Sequence, residues 1–152
     1  MGLGFSRICT VASLVLWAGL AFAHNHHALN GTWTLVPSES NFASGPQIQN
    51  GTLTINDRQG NIYVLRNFTY EGSDHGTVSY RFGADGRENS TVREGKEMKT
   101  KAHWDGDVLK VTTLDEGRTT IERFSLTSSG TLMLVVDREG LEPLTLIFRR
   151  AG

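Results

Sequence analysis

Glu97-Met98-Lys99-Thr100-Lys101-Ala102-His103-Trp104 alternates residue by residue. Met98, Thr100, Ala102 and Trp104 make one largely apolar face, and Lys99, Lys101 and His103 make the other. A period of two is the signature of a strand with one buried and one wet face. Just beyond it, Asp105-Gly106-Asp107 supplies the residue types of a tight hairpin turn, and Val108 to Leu114 reads as the returning strand. The same grammar repeats outward in both directions. It predicts strands at Thr32 to Val36, Thr52 to Asn56, Ile62 to Tyr70, Thr77 to Phe82 and Glu88 to Arg93. After the central hairpin come Arg118 to Leu126, Thr131 to Arg138 and Leu144 to Arg150. No stretch shows a sustained apolar period of 3.6, and links this short join antiparallel neighbours.

A sheet with one apolar face must cover it, and without helices it does so by curling or stacking. The expected fold is all-β, an antiparallel up-and-down meander closing into a barrel of about 8–10 strands, since closure also removes exposed edges. A two-sheet sandwich is the alternative. The 15 basic and 16 acidic residues give a formal net charge of −1 without a long run of either sign. That balance points away from nucleic acid and from a membrane surface as partners.

The N-terminus reads differently. Arg7 is the only charge before an apolar run from Ile8 to Ala23, which is shorter than the roughly 20 residues that span a bilayer as a helix. The run ends in Ala21-Phe22-Ala23 and is followed by His24-Asn25-His26-His27. This is the pattern of a secretory signal peptide over residues 1–23. A flexible His-rich segment (24–30) and a barrel domain (31–152) follow. The expectation is an exported protein, periplasmic or extracellular, with no stable membrane anchor. The single cysteine, Cys9, lies in the signal, so the core holds the domain together without a disulfide.

Leu29-Asn30-Gly31-Thr32-Trp33-Thr34-Leu35 opens the first strand. Gly-x-Trp at this place resembles the start of the calycin superfamily, which comprises lipocalins, fatty-acid-binding proteins and avidins. Together with the loop Ser38 to Pro46, it looks like small exported bacterial lipocalin-like proteins. The resemblance implies structural roles for Gly31 and Trp33 at the closed end of a barrel, with Arg149 or Arg150 lying across the indole. The departures are equally specific. The link from Pro37 to Asn50 is too short for the two-helix lid of fatty-acid binders. Their late Arg-x-Tyr clamp is replaced by Ile147-Phe148-Arg149-Arg150. Only Trp33 and Trp104 follow the signal, fewer tryptophans than biotin binders use. No specific ligand is inherited from these relatives.

A barrel of this size encloses one small ligand or fills itself with side chains. Tyr80, Phe82, Met98, Ala102, Trp104, Val111, Leu134, Val136 and Phe148 are the candidate lining, and also the candidate filling. Phe42, in the longest link, is either a lid or a loop anchor. Arg66 shares the face of Ile62, Val64, Phe68 and Tyr70, and Arg123 also lies among apolar strand positions. An inward arginine needs a partner, either a protein acid or a ligand carboxylate; an outward one needs none. His24 and His26 offer a nitrogen set suited to Cu(II) or Ni(II) if the chain is cleaved after Ala23. There is no nucleophile elbow, no Gly-rich phosphate loop and no cofactor motif, and His75 beside Asp74 reads as a turn. The expected function is to bind or carry a small hydrophobic molecule inside the barrel. The alternatives are a protein-interaction module or inhibitor working through the loops Asn41 to Gln49 or Gly72 to Gly76, and an enzyme assembled at the barrel mouth.

Overall fold

A computed structural model describes residues 25–72 and 75–152. Ten strands form one antiparallel meander: β1 (Gly31–Leu35), β2 (Ile48–Arg58), β3 (Asn61–Tyr70), β4 (His75–Gly83), β5 (Asp85–Arg93), β6 (Lys96–Asp105), β7 (Val108–Asp115), β8 (Arg118–Leu126), β9 (Leu132–Arg138) and β10 (Leu144–Arg150). Their order around the sheet is β4-β3-β2-β1-β10-β9-β8-β7-β6-β5. The first and last strands pair, Trp33 opposite Arg150 and Leu35 opposite Phe148, and this wraps the sheet into a barrel. The sequence left a two-sheet sandwich open; the single wrapped sheet excludes it.

Closure is nearly complete. β4 and β5 are consecutive in the chain but stand at opposite ends of the sheet order. Across this seam the Thr91 hydroxyl donates to the Arg81 carbonyl at 2.9 Å.

All ten expected strands are present, and the largest shift is at β2. It begins at Ile48 rather than Thr52, with an irregularity in register between Ile48 and Asn50. Asn50 and Gly51 are poor strand formers, so local propensity hides this stretch. Pairing with β3 overrides it, and Gly51 lies directly opposite Phe68. A Cβ at Gly51 would collide with the Phe68 ring and stand 3.1 Å from the Asn67 carbonyl. The glycine therefore lets that ring pack closely against the β2 backbone.

One end of the barrel is sealed. A short 3₁₀ turn, His26–Leu29, crosses it and buries Leu29. Trp33 Nε1 donates to the Leu29 carbonyl at 2.9 Å. The Arg150 guanidinium lies 4.3 Å from the Trp33 ring centroid and donates to the Asn30 and Ala28 carbonyls, both at 2.9 Å. Of the two arginines the sequence offered for this place, Arg150 takes it and Arg149 does not. Arg150 is the register partner of Trp33, so alternation turns Arg149 outward, where it pairs with Glu39. Gly31 has φ +131°, and a Cβ there would stand 2.7 Å from Arg150 Nη1, so the glycine both takes a conformation other residues avoid and makes room for the guanidinium. Above this seal Trp33, Leu53, Val64, Ala102, Leu109, Val111, Phe124 and Leu134 fill the interior without measurable exposure.

Candidate functional site

The other end is built from the β1–β2 link, the β9–β10 link and the mouth-side halves of the strands. The β1–β2 link contains a 3₁₀ turn at Pro37–Glu39 and no helical lid. It is tied to β10. Asn41 N donates to the Thr145 carbonyl at 2.7 Å, and Thr145 N donates back at 2.8 Å. The Ser40 hydroxyl accepts from Ile147 N at 3.0 Å, and Asn41 Oδ1 accepts from Ala43 N at 2.9 Å. These bonds hold Phe42 in place, buried, with its ring on the wall of a cavity. Phe42 is an anchor that also shapes the site.

The cavity has a volume of about 260 Å³, near the lower end for ligand pockets, ~300 Å³. One side is apolar, formed by Phe42, Ile48, Phe68, Val136, Leu144 and Leu146; Arg66, Arg93, Glu122 and Arg138 supply charge. Register explains the depth. β3 runs toward the mouth from Ile62 to Tyr70, so Arg66 lies halfway along it; β8 runs inward from the mouth, so Glu122 lies at a similar height on another wall. Arg66 Nη2 bonds Glu122 Oε1 across the interior and also donates to the Tyr80 hydroxyl at 2.5 Å. The Tyr80 hydroxyl donates to Glu122 Oε2 at 3.2 Å. Arg93 stacks its guanidinium 3.8 Å from the Tyr80 ring centroid and approaches Glu122 Oε2 at 3.5 Å. This bridge is the floor of the cavity, and below it the core is packed.

Exposure within the floor is unequal. The Glu122 side chain is 1% exposed, whereas Arg66 and Arg93 keep 15% and 14%. All three line the cavity, and the guanidiniums present more exposed surface to it than the nearly enclosed carboxylate does. Arg66 Nε and Arg93 Nε are buried without a hydrogen-bond partner. Burial opposes charge on Arg66, but the Glu122 carboxylate outweighs it and holds the guanidinium above its ordinary pKa. Burial alone would push the Glu122 carboxyl up; Arg66 first, then Arg93, reverse this and hold it below the ordinary carboxylate range. Burial pushes the Tyr80 phenol up, with the Glu122 charge adding to the shift and Arg66 opposing it. The floor thus carries two cations, one anion and a neutral phenol.

Of the residues the sequence offered as lining, Arg66 and Val136 reach the cavity. Tyr80 supports its floor. Phe82, Ala102, Val111, Leu134 and Phe148 are buried in the core beneath, and Met98 is half-buried. Trp104 lies toward the sealed end, its ring stacked on His26 at 4.0 Å between centroids. Arg123 follows the inward Glu122 and so turns outward, pairing with Asp137. Among the described residues no three metal-ligating side chains converge. His24 lies outside the described residues, and the copper or nickel set that includes it lies outside them too. Arg93 and Glu122 were missed as site residues. Parity with Phe124 would have placed Glu122 inward, but Arg93 ends a strand too polar to show a face.

With this geometry the chain can be set beside solved structures. A Schistosoma mansoni fatty acid binding protein in complex with arachidonic acid superposes with a TM-score of 0.63 at 17% identity, over 82% of this chain and 97% of that one. The wild-type fluorescent protein UnaG gives 0.61 at 18% identity, over 80% and 96%. Human cRBP IV gives 0.58 at 20% identity, over 81% and 98%. The fold is a calycin-like barrel. No family model matches the chain, and no curated protein matches its sequence. At these identities the likeness establishes architecture and leaves function to the site.

Proposed function

We propose that this barrel binds a small amphipathic molecule, its apolar body against Phe42, Ile48, Phe68, Leu144 and Leu146 and an anionic head on Arg66 and Arg93. The observation that carries this reading is the floor of the cavity. Arg66 and Arg93 line it and keep more exposure than Glu122, the carboxylate they share, and apolar side chains line the same cavity. A charge-assisted contact on a desolvated floor fixes the head group, and the wall contributes by area. The structural neighbours add support at the level of fold, since one of them is a fatty acid binding protein in complex with arachidonic acid. The cavity is small, so part of a long chain would extend past the mouth.

The reading includes a place of action. Export is supported by residues 1–23, an apolar run after Arg7 that ends in Ala21-Phe22-Ala23. N-terminal sequencing of protein from the medium or periplasm should begin at His24.

The binding test is titration with anilinonaphthalene sulfonate, an amphipathic anion that brightens in apolar surroundings, followed by displacement with fatty acids. Saturable brightening lost in an Arg66→Met, Arg93→Met, Glu122→Leu triple variant supports the reading. Brightening that survives the loss of all three charges removes the head-group assignment. Native mass spectrometry of the purified protein identifies any lipophile it retains.

A further inference from the structure

We propose that Glu122 sets the charge of the head group this cavity accepts, selecting a monoanion over a dianion of the same shape. The inference rests on the amphiphile reading above and goes beyond it.

The floor holds three ionised groups, Arg66, Arg93 and Glu122, for a formal charge of +1, and Tyr80 adds hydrogen bonds without charge. Arg138 stands at the exposed rim, where solvent and salt screen it. Inside the barrel an uncompensated charge is costly, so the stable occupied state is a neutral one. One negative charge on the ligand brings the floor to neutrality. Two leave it at −1, next to a carboxylate that cannot move away, because both its oxygens are bonded in place. Glu122 therefore plays two parts: it holds Arg66 in position, and it uses up one of the two positive charges. Specificity of this kind comes from a repulsive element built into the site. The favoured heads are carboxylates, sulfates and phosphodiesters, and the disfavoured ones are phosphate monoesters.

An alkyl sulfate and an alkyl phosphate of equal chain length separate charge from shape, since both heads are tetrahedral. They are compared below their micelle concentrations at about pH 8, where a phosphate monoester carries two charges. The wild type should bind the sulfate about tenfold more tightly, and Glu122→Gln should abolish or reverse that preference. Should Glu122→Gln fail to fold, Arg93→Gln gives the complementary test. Its floor is neutral, so the preference for alkyl sulfate over the uncharged alcohol of equal length should fall about tenfold. Equal binding of sulfate and phosphate by the wild type overturns the inference. So does a preference that persists unchanged in Glu122→Gln, which would assign it to desolvation of the dianion, or an undiminished anion preference in Arg93→Gln. Failure of sulfate, phosphate, alcohol and fatty acid alike to bind removes the amphiphile reading itself, and this inference with it.

Discussion

The two ends of this barrel are made by the same strands and do opposite things. Toward the sealed end, inward positions are Trp33, Leu53, Val64, Leu109 and Phe124, all without measurable exposure. Halfway along the same strands the inward positions become Arg66 and Glu122, and above them the interior opens into a cavity. β8 shows the change within three residues: Phe124 packs the core and Glu122 holds an ion pair. Stability is concentrated where packing is dense, and selectivity where polar groups are placed in a desolvated space. A chain that separates the two along one axis can vary its ligand without rebuilding its core.

The sharpest way to break this division is to damage each half in turn. Phe124→Ala should cost about 3–5 kcal/mol in urea unfolding, the usual range for an aromatic deleted from a packed core. The floor should show a different pattern. Glu122→Gln alone should cost about 3 kcal/mol, because it leaves two largely buried guanidiniums without the carboxylate they share. The triple variant Arg66→Met, Arg93→Met, Glu122→Leu should recover most of that loss and still fail to bind an anionic probe. A triple variant as unstable as Glu122→Gln would mean that the ion cluster holds the fold together, and the division would collapse.

Acid should act on the mouth half. The Glu122 carboxyl sits lower in the folded protein than its unfolded value of about 4.3. Its contribution is therefore complete above that value and is lost as pH falls through the folded pKa. The urea midpoint of the wild type should fall more steeply below about pH 4 than that of Glu122→Gln. Parallel acid profiles would show that other carboxylates control acid unfolding. A smaller effect is expected at the wall. Gly51→Ala should force the Phe68 ring off the β2 backbone into the cavity, costing about 1–3 kcal/mol as an overpacking change. Affinity for the longest ligands should fall first, measured as displacement across a chain-length series.

The sequence showed the sealed half well and the mouth half poorly, for a physical reason. Alternation such as Met98, Thr100, Ala102 and Trp104 reports burial against apolar neighbours, and together with the turn residues between the runs it marked the ten strands. A binding site departs from that rule by design. Arg66 was visible as a charge on an apolar face, yet its partner, Glu122, lies on another wall of the barrel and 56 residues away in sequence. Only closure of the sheet brings them together. Arg93 gave no signal because its strand is polar on both faces. The late arginines were visible as a pair, and only the register of β1 with β10 assigns Arg150 to Trp33.

The smallest expected effect tests the comparison most directly, because it uses the same chemistry one residue away. Arg123 pairs with Asp137 on the outer wall, the two side chains 39% and 38% exposed, while its neighbour Glu122 pairs with Arg66 inside. Water screens the outer pair and leaves both partners solvated when one is removed, so Arg123→Gln should cost about 0.5 kcal/mol or less. That small loss should shrink further in high salt, whereas the cost of Glu122→Gln should barely change, because buried pairs are screened much less. Probe binding should be unaltered in Arg123→Gln, since its side chain faces away from the cavity. Urea unfolding of both variants at low and high salt reads the contrast directly. Equal costs and equal salt dependence would mean that the inner pair is as wet as the outer one, and that the floor of the cavity is open to solvent.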